Sequence, residues 1–201
     1  MAPSPSIELS AAAQSRLLGI ARQSIAQGVA SRRPLAIPSD DLPGVLAERR
    51  ASFVTLHQGE LLRGCVGSLE ANQPLGVSVA EAAFSAAFRD SRFPPLREEE
   101  LRLITIDISV LSALEPVSAE DERSLLDQLQ AGVHGLLLEE GWRRATFLPK
   151  VWDQLADPAE FLRALKQKAG LPPEYWSASL KFRRYTTLSF SETRDLVPEP
   201  A

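Results

Sequence analysis

Between residues 102 and 114 the chain alternates with a period of two: Ile104, Ile106, Ile108 and Val110 fall on one face, and Thr105, Asp107 and Ser109 on the other. A helix groups residues three and four apart, so this pattern specifies a strand with one face in a core. The polar face is left to meet water or to line a cleft. Such one-sided alternation suits an antiparallel sheet, because parallel strands are covered on both faces and read as continuous apolar runs. The remaining segments must supply partner strands and a layer of helix.

They do so in mixed order. Ser10 is placed to cap a helix with Leu17, Leu18, Ala21, Ile25 and Val29 on one stripe, ending near residues 28–31. Residues 32–47, with Pro34, Pro38, Pro43 and Gly44, have no clean period and read as an irregular connection. The β-forming run 53–57 and the run 61–66 flank Gln58-Gly59 and predict a hairpin. With Gln58 and Gly59 as the central turn residues, Val54 faces Arg63 and Ser52 faces Cys65. A three-residue loop sets Thr55 opposite Arg63 and Phe53 opposite Cys65 instead, and both registers stay open. A helix with many small residues follows over 75–88, and then Pro94-Pro95 forbids more helix. The periodicity next predicts a short helix over 124–130 and a second hairpin, 133–139 with 142–147, around Glu140-Gly141. Helices over 149–155 and 158–169 come after it, the second capped by Gly170, and a last strand covers 180–190. Hairpins interspersed with helices, without regular βαβ alternation, specify an α+β fold with a mainly antiparallel sheet and flanking helices. Residues 7–195 read as one domain, and residues 1–6 and 196–201 as disordered tails.

Bulk properties narrow the function. A chain of 201 residues that is 44% hydrophobic can bury a sizeable core. Its net charge of −4 and pI of about 5.3 give no basic field for nucleic acid. No apolar run approaches the ~18 residues of a membrane span, and the N-terminus lacks a secretory pattern. A single cysteine permits no internal disulfide, which points to a reducing cytoplasm. Cysteine and histidine are too few and too unevenly spaced for a metal motif, and neither a phosphate loop nor a dinucleotide fingerprint occurs. No cofactor or metal is therefore expected.

That one cysteine sits in Leu62-Arg63-Gly64-Cys65-Val66-Gly67-Ser68. In a strand, Arg63 and Cys65 share a face, which sets a cation beside a thiol, and a cation favours the nucleophilic thiolate. Glycines within a strand mark a bulge or a close approach by a ligand or backbone. The competing role for Cys65 is a small packed hydrophobe. His134, within Gly132-Val133-His134-Gly135, is a candidate base for Cys65, or a strand-start histidine bonded to a neighbouring loop. His57, beside the hairpin turn, reads as exposed. Asp90 and Arg92 either pair to stiffen the Pro94-Pro95 turn or bind substrate. Ser109 lies on the polar face of its strand, and Glu98, Glu99 and Glu100 form an acidic run.

In their order and spacing, LLRGCVGSLE, AAFRDSRFPPL followed by EEL, ISVLSALEPV, VHGLLLE, ATFLPKVW and KAGLP resemble the AMMECR domain family. Its bacterial and archaeal members are called AmmeMemoRadiSam system protein A. The family's Leu-Arg-Gly-Cys-Ile-Gly signature falls on residues 62–67 with Val66 for isoleucine, and its Asp-x-Arg-Phe-x-Pro-Leu on Asp90, Arg92, Phe93, Pro95 and Leu96. Its Glu-Leu falls on Glu100 and Leu101, its Ser-Val-Leu on residues 109–111, its His-Gly on His134 and Gly135, and its Leu-Pro on Leu148 and Pro149. Arg144-Ala145 departs from the family's usual Arg-Gly. The resemblance implies two subdomains of unequal size, the larger built from both ends of the chain. It also implies Memo-like and radical S-adenosylmethionine proteins as partners, but it carries no assigned reaction and no oligomeric state.

Two functions of different class follow. In an enzyme, Cys65 is the nucleophile, Arg63 binds an anionic group, His134 or Glu100 carries the proton, and the backbone near Gly64 or Gly67 shapes the ligand site. In a binding module, Arg63, Asp90 and Arg92 present a face to a Memo-like or radical-enzyme partner and Cys65 only packs.

Overall fold

The structure, a computed structural model, describes residues 7–192. The tails expected to be disordered lie outside the described residues. In chain order the elements are α1 (Ala11–Ser31), β1 (Ser52–Gln58), β2 (Leu61–Gly67), α2 (Leu75–Phe88), β3 (Ile104–Leu111), β4 (Glu115–Val117), α3 (Glu122–Leu126), β5 (Gly135–Glu140), β6 (Arg143–Phe147), α4 (Pro158–Lys168), β7 (Lys181–Tyr185) and β8 (Thr187–Ser191). The architecture is α+β with antiparallel pairing, in two compact units. The larger takes residues 7–111 and the returning chain from Leu188; the smaller is Ser112–Thr187.

In the larger unit the sheet order is β2-β1-β3-β8. Ile104, Ile106, Ile108 and Val110 of β3 are all fully buried. Each such side chain contributes about 1.5–3 kcal/mol by leaving water, so β3 is the spine of this core. The hydroxyl of Ser10 accepts the Ala13 amide and starts α1, which buries Leu17, Ala21 and Ile25. α2 buries Val79, Ala80, Ala83, Ala86 and Ala87, and these short side chains let its backbone lie close to the sheet. Polar groups trapped between the layers are satisfied: Ser24 Oγ donates to the Ala80 carbonyl at 2.7 Å, and the Ser52 and Ser78 hydroxyls meet at 2.7 Å.

The smaller unit has its own sheet, in the order β4-β7-β5-β6, over a core that includes Leu136, Leu138, Phe161, Leu165 and Phe182. The Trp152 and Phe161 rings stack with centroids 3.8 Å apart. Asp157 accepts the Glu160 amide at 2.9 Å and caps α4.

Several elements differ from the sequence expectation. The run 180–190 is two strands in two sheets. The chain breaks at Thr186, whose amide donates to Ser112 Oγ at 3.0 Å and whose carbonyl accepts the Ser112 amide at 2.9 Å. A continuous run of β-formers cannot reveal that the chain changes sheets. α3 begins at Glu122, not 124, because Asp121 and Ser124 form a reciprocal capping box. β5 starts at Gly135, after a turn that ends at Val133, and the helix expected over 149–155 is the 3₁₀ segment Pro149–Asp153. β4 had no sequence signal. It lies at a sheet edge, where Pro116 is tolerated.

Candidate functional site

The β1–β2 hairpin places Cys65, and its register is neither of the two anticipated. Gln58 pairs with Leu61, so the turn is centred on Gly59 (φ +63°) and Glu60, one residue later than expected. The register then shifts between Leu56 and His57: His57 opposes Leu62, whereas Leu56 opposes Gly64. Arg63 is the extra residue of a bulge, and Thr55 becomes the partner of Cys65. One late turn and one inserted residue move the pairing further than a count from the turn residues can foresee.

Beyond the bulge, β2 regains its alternation. A Cβ added to Gly64 would lie 2.1 Å from the Ala86 carbonyl oxygen, so this glycine exists to let β2 touch the backbone of α2. At Gly67 a Cβ would lie 2.3 Å from the Ser52 carbonyl oxygen and 2.4 Å from the Phe53 ring. Both close approaches are to protein. Cys65 projects from the opposite side to Gly64, onto the polar face, and is half-buried.

β2 is an edge strand, and its exposed edge at Cys65 is closed by side chains. The Cys65 amide donates to Asp90 Oδ2 at 2.9 Å, and the Cys65 carbonyl accepts from the Arg92 guanidinium at 3.3 Å. Asp90 and Arg92 grip each other at 2.9 and 2.6 Å. The pair thus acts as a one-residue substitute for a neighbouring strand, with the carboxylate as acceptor and the guanidinium as donor. The Asp90 side chain is 6% exposed and that of Arg92 is 55% exposed. The Arg92 hydrogen bond, helped by the Cys65 amide, holds the Asp90 carboxyl well below the usual carboxylate range. Because Cys65 uses its amide and carbonyl on this outer edge, Thr55 and Cys65 form a close, non-hydrogen-bonded pair. Accordingly, Thr55 Oγ1 donates to Cys65 Sγ at 3.4 Å.

Arg63 and Glu100 are brought together, but with each other. Arg63 Nε and Nη2 donate to the two Glu100 oxygens at 2.8 and 3.1 Å, and Nη2 also reaches the Pro94 carbonyl at 2.9 Å. The Arg63 side chain is 9% exposed and that of Glu100 is 18% exposed, and Nη1 is buried without a partner. The Arg63 hydrogen bonds lower the Glu100 pKa, and the Arg97 amide assists. This pair ties the bulge to the 3₁₀ segment Glu98–Arg102. The guanidinium at the Cys65 backbone belongs to Arg92, not to Arg63.

His134 sits in the smaller unit just before β5, 5% exposed. Its Nδ1 accepts the Gln130 amide at 2.9 Å, and its carbonyl accepts the Trp152 indole N–H at 2.7 Å. Burial pushes its pKa down, which keeps the ring neutral. This is the strand-start histidine bonded to a loop. Ser109, on the same sheet face as Cys65, shares a hydrogen bond with Ser189 at 2.8 Å.

Three further residues share that face. Thr55 pairs with Cys65 on one side and with Asp107 on the other, which makes a row Cys65–Thr55–Asp107 across three strands. His57 is not simply exposed: it is half-buried, with Nδ1 3.1 Å from Asp107 Oδ2. The alternation of β3 already placed Asp107 on this face, and the hairpin register was the missing link. Among the described residues no three His, Cys, Asp or Glu side chains gather as metal ligands. What the site offers chemically is a thiol with a fixed backbone and a hydroxyl donor, on a face that also carries an imidazole–carboxylate pair.

The family model AMMECR1 matches residues 18–190. A protein of Methanothermobacter thermautotrophicus is 40% identical over 178 residues, covering 88% of this chain and 92% of that protein. A Methanocaldococcus jannaschii protein is 38% identical over 157 residues, covering 76% and 78%. The crystal structure of an uncharacterised Pyrococcus horikoshii protein, PH0010, superposes with a TM-score of 0.81 at 31% identity, covering 88% of this chain and 90% of that one.

Proposed function

The chain belongs to the AMMECR1 family, and we propose that its working group is the Cys65 thiol, in a thiol-dependent reaction on a small molecule or protein. The observation that carries this reading is the fixation of Cys65 at three points: its amide by Asp90, its carbonyl by Arg92 and its sulfur by Thr55. The amide and carbonyl contacts close the strand edge whatever side chain stands at 65, and the hydroxyl on sulfur is the contact specific to the thiol. The hydroxyl and the fixed backbone hold the sulfur in one orientation for attack. The same reading takes the chain as the A component of an AmmeMemoRadiSam system, acting beside Memo-like and radical S-adenosylmethionine proteins in the cytoplasm. Its support is the order and spacing of the signature segments.

Alkylation by iodoacetamide at pH 7, followed by mass spectrometry, tests the thiol. Cys65 should react faster in the folded protein than in the urea-unfolded chain. Thr55→Val should slow the folded rate roughly tenfold, the factor equivalent to ~1.4 kcal/mol of hydrogen bonding. A folded thiol slower than the unfolded one, with no effect of Thr55→Val, overturns the reading.

One observation favours the binding-module alternative. Leu61 is 75% exposed and Leu62 is 40% exposed on the edge strand that carries Cys65, apolar side chains that a partner could cover. In that case Cys65→Ala leaves binding to a Memo-like protein intact.

A further inference from the structure

We propose that His57, oriented by Asp107, is the general base that completes Cys65 into an acyl-transfer site for esters or thioesters; this rests on the thiol reading above. The two groups lie on one sheet face. β1 presents Thr55 opposite Cys65 and presents His57 two residues on, with the same outward direction. In an antiparallel pair such diagonal neighbours stand roughly 7–8 Å apart. That is a spacing between backbones, within reach of an imidazole and of a group carried on sulfur. It is suited to an acyl carbon on sulfur followed by one water hydrogen-bonded to the ring. The bulge at Arg63, opposite the step from Leu56 to His57, twists the sheet at this point, as bulges beside active sites do.

Asp107 sets the imidazole. With Nδ1 3.1 Å from Asp107 Oδ2, a proton on Nδ1 leaves Nε2 as the lone-pair nitrogen for substrate or water. Both side chains are partly buried, at 21% and 23% exposure, which is enough to restrict the ring and leave it reachable. Neither of the proton carriers expected from the sequence is comparably placed within its own unit. Glu100 is the counter-ion of Arg63, and the His134 Nδ1 is bonded to Gln130.

The reaction balances without any further reagent. The Cys65 thiolate attacks the ester carbonyl, a C–S bond forms, and the C–O bond to the leaving alkoxide breaks. Water then gives a proton to His57 Nε2 as its oxygen adds to the thioester carbonyl. The C–S bond breaks, the acid departs, and the imidazolium returns the proton to sulfur or solvent. His57 thus acts chiefly in the second step, and Asp107 is a positioning residue.

The test uses 4-nitrophenyl acetate with the full chain. Nitrophenolate release reports acylation, and mass spectrometry of the Cys65 peptide follows the acetyl group. In the unaltered protein acetyl-Cys65 should form and hydrolyse. In His57→Gln it should persist, with hydrolysis slowed about 100-fold and far more than acylation. Asp107→Asn should shift the same step in the same direction, and it serves if His57→Gln does not fold; circular dichroism verifies both variants. A loss confined to stability would leave the ratio of the two steps unchanged. Equal deacylation, within about twofold, in the unaltered protein and the folded variants overturns the role of His57 but leaves the thiol reading standing. If acetyl-Cys65 never forms, the thiol reading falls, and this inference with it.

Discussion

Replacing Glu100 by alanine should destabilise the protein more than replacing Arg63 by methionine, although each change breaks the same ion pair. Without Glu100, a guanidinium that is 9% exposed keeps the Pro94 carbonyl and the Phe93 ring but loses its counter-charge. An uncompensated buried charge of this kind costs about 3–5 kcal/mol. Arg63→Met keeps an apolar stem in the bulge and leaves Glu100, at 18% exposure, still bonded to the Arg97 amide. It also removes Nη1, a buried donor with no partner, whose desolvation already costs about 1–3 kcal/mol. Part of the loss is therefore returned, and a net cost of about 1–2 kcal/mol is expected. At about 2–4 °C per kcal/mol for a chain of this size, Glu100→Ala should lower Tm by roughly 6–20 °C. Urea unfolding with a constant m-value gives the free energies. In the double variant the loss should be smaller than the sum of the single losses, because no charge is left buried. Equal losses in the two single variants, or losses below about 1 kcal/mol in both, would refute the reasoning and reduce the pair to a surface ion pair.

Gly64→Ala should cost about 3 kcal/mol or more, because the new methyl would meet the Ala86 carbonyl at 2.1 Å with backbone on both sides. A melting temperature within about 2 °C of the unaltered protein would show that α2 can withdraw at no cost. Acid should destabilise the fold through Asp90 and Glu100. Both carboxyls are lowered in the folded state from ordinary values of 3.8 and 4.5, so their contribution is present above those values and is lost as pH falls through the folded ones. The decline should begin near pH 4.5 and be shallower in Asp90→Asn; identical acid limbs in urea-unfolding series would contradict this.

Much of the fold was legible because it rests on local period and punctuation. The alternation from Ile104 to Val110, the Ser10 cap, the small-residue helix Leu75–Phe88 and the Pro94-Pro95 stop are each written in neighbouring residues. The spacing of the signature named Cys65, Asp90 and Arg92 as candidates, but neither their contacts nor the neighbours Thr55, His57 and Asp107 were legible. Arg63 and Cys65 look like neighbours on one strand face. A single bulge turns Arg63 to Glu100 and leaves the Cys65 backbone to Asp90 and Arg92.

The chain by itself determined that β3 is half-buried, that the sheets are antiparallel, and that one thiol lies in a glycine-flanked strand, since period, propensity and composition act over a few residues. Only the tertiary structure decided what that thiol meets. Register is a long-range quantity, set by where the turn closes and where one extra residue is inserted, and a one-residue slip exchanges the two faces of a strand. That is why Thr55, His57 and Asp107, on strands β1 and β3, share the face of Cys65 on β2. It is also why the run 180–190, uniform as sequence, divides between two sheets at Thr186.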